Sequence, residues 1–227
     1  MTRKFSSSFY LALSILCGSV MALQILQSRL FSVVTWYHLS FLVISIAMFG
    51  LTLGALKIYR GDEEEQRGNL NRLAGESCFM FSISMLFALI VQLLVPIVHT
   101  NAVSIIVTLP LVAGATACCY YYAGQVVTLC LTRSDRPIGL VYGADLFGAA
   151  LGCLAALFLM EKIDTPTAII LLAGIAMLCG ALFHAGNSVK LKTGAAIALF
   201  ILAGLNLAAD KPMIYPFWTK GRLFTQD

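Results

Sequence analysis

Asp145 stands inside an apolar run, Tyr142-Gly143-Ala144-Asp145-Leu146-Phe147-Gly148-Ala149-Ala150-Leu151-Gly152. A carboxylate some turns inside a membrane span costs about 2.5 to 3.5 kcal/mol on the insertion scale unless it is neutral or partnered, so this residue is expected to face protein. Gly148 and Gly152 follow it along one helical stripe, where small residues let another helix approach closely. Two kinds of chemistry are open to Asp145: a proton or cation site, or a protonated or hydrogen-bonded tie between two helices. Tyr120, Tyr121, Tyr122 and Gln125 precede the short Arg133–Arg136 connection by a distance similar to that at which Asp145 follows it. Helices joined by a short loop pack antiparallel, which would bring a tyrosine hydroxyl or the Gln125 amide to the carboxyl at matching depth. With Tyr142 on the same helix, the candidate binding set is Asp145, Tyr142, Tyr121, Tyr122 and Gln125.

A second polar cluster, Gln24, Gln27 and Arg29, closes the first apolar run, with His38 a short loop away. Arg29 reads either as part of a site or as a side chain snorkelling to headgroups. Of the three histidines, only His38 and His99 share a side, and both stand at span ends, where they read as wetted interface residues and not as a haem pair. Cys17, Cys78, Cys118, Cys119, Cys130, Cys153 and Cys179 all lie in or beside apolar runs without a CxxC pair, and read as small core hydrophobes. Gly50 and Gly54 form a second GxxxG pattern, a mark of helix packing. No HExxH, GxxxxGK[ST] or strand-borne GxGxxG occurs, so neither a metal nor a cofactor is expected and the chain alone is not expected to be an enzyme.

The elements that must position these residues follow from composition. With 59% hydrophobic and only 11% charged residues in 227, the chain has less than half the charge that a water-facing surface requires. The expected fold class is an all-α, polytopic transmembrane helical bundle of about seven spans, at 9–26, 37–59, 78–98, 104–131, 138–160, 167–183 and 194–209. These make residues 1–209 a transmembrane domain. Residues 210–227 read as an interfacial tail, from their Pro, Tyr and Trp content. The stretch Arg60–Arg67 reads as a polar loop, and Pro110 as a place where the fourth span can kink. The first run is as long as a full span and is followed by others, which sets it apart from a cleaved signal. Ten Lys and Arg residues fall on one side of these spans and five on the other, so the N-terminus is expected to be cytoplasmic. The expected partner is the lipid bilayer, with no nucleic acid.

Three stretches carry a resemblance to a known family. Ala22–Ser32 followed by Ala47–Ala55, then Leu109–Gly114, then Ile138–Gly152 with its Tyr-x-x-Asp-Leu-x-Gly-x-x-x-Gly pattern, are similar in order and spacing to the membrane helices of the integral-membrane spermidine-synthase-like proteins. The segment Trp218–Arg222 is similar to the linker leading into that family's aminopropyltransferase-type domain. The resemblance implies a bacterial inner-membrane protein whose bundle anchors or supports a polyamine-related partner domain. Gln24 stands where that family would have an acidic residue, and the motifs of its nucleotide-binding domain do not occur in these residues. A small transporter or channel with a cation site at Asp145, or a structural subunit of a larger membrane complex, are the alternative functions.

Overall fold

The computed structural model describes residues 7–34, 40–95, 102–183, 188–209, 214, 218–219 and 222–223. Over these the chain is an all-α bundle of α1 (Ser7–Val34), α2 (Ser40–Arg60), α3 (Glu63–Gly68), α4 (Leu70–Leu94), α5 (Ala102–Arg133), α6 (Ile138–Lys162), α7 (Thr165–Phe183) and α8 (Ser188–Ala208). A two-residue antiparallel ladder follows, β1 (Trp218–Thr219) with β2 (Arg222–Leu223). Six helices, α1, α2, α4, α5, α6 and α7, are long and apolar enough to cross a membrane; the apolar part of α8, Lys192–Ala208, is shorter. His38, His99, His184 and most of the tail lie outside the described residues.

Several boundaries differ from expectation. The stretch read as a polar loop contains α3. The Asp62 carboxylate accepts from the Glu64 backbone N–H at 2.9 Å, and Glu63, Glu64 and Glu65 occupy the first turn, where the helix dipole favours negative charge. α1 runs on to Val34, so Gln24, Gln27 and Arg29 are interior to a helix and not at its end. α4 starts at Leu70, two turns before the expected 78, and α5 continues through Pro110.

Packing follows from composition. α7, TPTAIILLAGIAMLCGALF, carries no charge and is apolar on every side, which suits an interior position; it packs on α1, α4 and α8. Ser82 of α4 donates to the Ala173 carbonyl of α7 at 2.7 Å. α2 packs on α5, and α5 on α4. α6 is the outlier: its main neighbour is α1, and its outer face presents Phe147, Leu154 and Phe158. Large apolar side chains turned outward on helices of this length are what a lipid environment requires.

Two crossings bring backbones together without side chains between them. At the first, a methyl group on Gly148 or Gly152 of α6 would run into the backbone of Ser14 or Gly18 of α1. At the second, Gly50 and Gly54 of α2 meet the backbone of Ala117 and Tyr121 of α5, and Gly124 of α5 meets Leu51. Glycine is required at these positions because any Cβ would force the helices apart.

The connections at one end are tied to each other. Arg67 of α3 pairs with Glu63 at 2.8 Å and with Asp135 of the α5–α6 connection at 3.1 Å, and Arg133 reaches Glu63 at 2.9 Å. Gln66 donates to the Ile58 carbonyl near the end of α2 and accepts from Arg133, both at 3.0 Å. Arg136 lies over the Phe9 ring in the first turn of α1. The start of α1, the end of α2 and the α5–α6 connection therefore share one end of the bundle, and most of the described basic residues lie there.

Candidate functional site

Asp145 sits at the α1–α6 crossing. Ser14 of α1 donates to the Ala144 carbonyl of α6 at 2.8 Å, and one residue further stands the half-buried Asp145. The arrangement places an acid beside a close-packed helix seam. With Ser14 it can tie α6 to α1.

The expected companions of Asp145 lie elsewhere. The Tyr121 carbonyl and the Gln125 backbone nitrogen face Gly54 on α2. Tyr121 also lines a shallow groove of about 390 Å³ with Lys57 and Arg60. Tyr122 stacks edge-on against Tyr121, with ring centroids 5.2 Å apart, and Tyr142 is exposed on the outer face of α6. The physical reason is that α6 does not dock on the helix its short loop follows. Its Gly148–Gly152 stripe fits the equally small Ser14–Gly18 stripe of α1, and that contact overrides chain proximity.

The second cluster divides. Gln24 and Arg29 line an open groove of about 530 Å³ with Ser28, Ser32 and Met160. The Arg29 guanidinium donates to the Met160 carbonyl at 3.1 Å, satisfying one of the unpaired carbonyls at the end of α6. Gln27 points the opposite way. It is fully buried, and its side-chain oxygen accepts from the Tyr120 hydroxyl at 2.7 Å.

One turn before Tyr120 on the same face of α5, the Thr116 hydroxyl accepts from the Gln92 amide of α4 at 3.0 Å. These four side chains form a buried polar ladder along α5, with Gln27 Nε2 and Gln92 Oε1 without hydrogen-bond partners among the described residues. Expectation named Tyr120 only as a partner for Asp145 and did not name Thr116 or Gln92. The signal was present, since Thr116 and Tyr120 stand four apart on a helix, each facing a glutamine on another span.

A third tie closes the far end. Asp164 caps α7 through the Thr167 backbone N–H at 3.0 Å and accepts from the Thr167 hydroxyl. Asn206 of α8 donates to that hydroxyl at 2.6 Å and accepts from the Ile214 backbone N–H at 2.8 Å, pinning the start of the tail to the bundle. Among the described residues no three His, Cys, Asp or Glu side chains converge to hold a metal ion.

Fold, apolar outer faces and inward-turned polar groups define a polytopic α-helical membrane protein. No protein-family model, curated protein or solved structure matches the chain.

Proposed function

We propose that this bundle is the membrane-embedded domain of a spermidine-synthase-like protein, non-catalytic by itself, which anchors or supports a polyamine-related partner domain. The observation that carries the reading is where the resembling stretches fall. Gly50 and Gly54 belong to one of them and Gly148 and Gly152 to another, and these glycines make two helix crossings too close for any Cβ. Residues shared with such a family are thus spent on holding helices together. The polar side chains support the same reading, since Arg29, Gln27 and Gln92 are each hydrogen-bonded to another helix. We place the protein in a bacterial inner membrane with its N-terminus cytoplasmic, on the strength of the resemblance and of the basic residues gathered at one end.

A photo-crosslinker placed at Thr219, with the chain in its native membrane, tests the anchoring role. A soluble aminopropyltransferase-type domain, continuous with the chain or separate, should be captured. Reconstituted into liposomes, the bundle should drive no saturable uptake of labelled spermidine. Uptake that is saturable and abolished by Asp145→Asn would replace this reading with that of a transporter.

A further inference from the structure

At the basic end, the first turn of α1, the α3–α4 junction and the α5–α6 connection enclose a cleft of about 780 Å³. Its lining includes four arginines, Arg67, Arg72, Arg133 and Arg136, against a single carboxylate, that of Asp135. The arginines are not equivalent. Arg67 and Arg133 share Glu63, and Arg67 also holds Asp135, so those two are largely neutralised. Arg72 reaches Glu76 only at 4.0 Å and is half exposed. Arg136 pairs with no carboxylate among the described residues. Its guanidinium is held instead over the Phe9 ring, 4.2 Å from the centroid, and 5.4 Å from that of Tyr10.

Stacking on rings fixes a guanidinium plane while leaving its N–H edge free, the presentation suited to a bidentate phosphate contact. Two further observations point to an anion. α4 and α6, each 25 residues long, both begin at this cleft, and neither has a side-chain hydrogen bond capping its first turn. Uncapped amides at the positive end of a long helix favour a negatively charged group. The Tyr10 hydroxyl is buried at the wall of the same cleft without a hydrogen-bond partner among the described residues.

We propose that this cleft binds the phosphate of an acidic membrane lipid. The ligand chemistry is a phosphate ester, which a free phosphate would share. A lipid is favoured because the cleft adjoins the outward-facing apolar start of α6, where Ile138 is 71% exposed directly after the lining residues Arg136 and Pro137. A headgroup in the cleft would leave its acyl chains lying along that helix. Basic pockets between transmembrane helices on the basic side are suited to such headgroups.

The test compares the purified chain in nanodiscs of phosphatidylcholine alone and of phosphatidylcholine doped with phosphatidylglycerol, with lipid retention after detergent extraction read by native mass spectrometry. Phosphatidylglycerol should be retained selectively. Arg72→Ala and Arg136→Ala should each weaken its retention about five-fold, Arg136→Lys by less, and Lys190→Ala, at the same end but outside the cleft, not at all. Arg72 is a half-exposed surface side chain, so its variant remains informative if loss of the Arg136 stacking disturbs folding. Equal retention of the two lipids, or retention unchanged in Arg72→Ala, would overturn the proposal. So would inorganic phosphate displacing phosphatidylglycerol at equal molar concentration, which would mark a solute site.

Discussion

Gln27 shows how much a single residue's placement depends on helical phase. Read by adjacency it belongs with Gln24 and Arg29; read by period it belongs with Leu23, Leu30 and Val34, all buried on one stripe of α1. The period was legible in the sequence, but the depth of the side chain came only with α5, which supplies Tyr120. Tyr120→Phe would leave the Gln27 side chain with no partner at all, and Gln27→Met would orphan the Tyr120 hydroxyl. Each single change should destabilise by about 1 kcal/mol, whereas the double variant should regain native stability, since an apolar pair of similar shape leaves nothing unsatisfied. Thermal unfolding of the four proteins in detergent measures the cycle, and additive losses would show that the two groups do not interact. Glu63 offers a second test at this scale. The Arg67 and Arg133 guanidinium groups hold its carboxyl below the usual glutamate range. A folded-state pKa below the unfolded one contributes stability that is fully present above the unfolded value and is lost as pH falls through the folded value. The α3 tie should therefore persist through the ordinary carboxylate range and release only below it. Hydrogen exchange of the α3 amides against pH follows the release, and Glu63→Gln should reduce the dependence to what the Asp62 cap and the Arg67–Asp135 pair carry.

The helices themselves were legible to different degrees. Seven apolar runs announce themselves by composition, six of them in helices long enough to cross a membrane, and the glycine pairs of α2 and α6 mark close contacts. The identity of the partners was not legible, because the rule that neighbours in sequence pack together pointed α6 toward α5. The complementary signal lay in Ser14 and Gly18, a small pair four residues apart in α1, which matters only once a second small stripe is set against it. α3 was hidden because six residues between two spans carry too little periodicity to separate a helix from a polar loop. Glycines on α6 divide by what surrounds them. Gly152→Val should destabilise the bundle by about 1 to 3 kcal/mol, because the added atoms meet the Gly18 backbone and neither helix can yield without moving. A methyl group added at Gly143 would meet nothing within 4 Å, so Gly143→Ala should stabilise by about 0.5 to 1 kcal/mol through the unfolded chain's lost freedom. Denaturant titrations of both variants check the opposite signs.

For the whole molecule, the gathering of arginines at the end shared by α3 and the α5–α6 connection predicts a side. A cysteine at position 64, on the exposed face of α3, should be protected from an impermeant thiol reagent in intact cells, and one at position 161, near the end of α6, should be labelled; the reverse pattern would invert the orientation. The seam between α1 and α6 also bears on how the molecule comes into being. Ser14 and Ala144 are 130 residues apart, so at about 5 to 20 residues per second the ribosome needs on the order of ten seconds to deliver α6 after α1 has emerged. For that interval the Ser14–Gly18 stripe waits in the bilayer with no mate. Assembly of this protein is thus a race between late arrival and premature pairing, and slowing translation between codons 34 and 138 should lower the yield of correctly joined bundles without altering the stability of those that form.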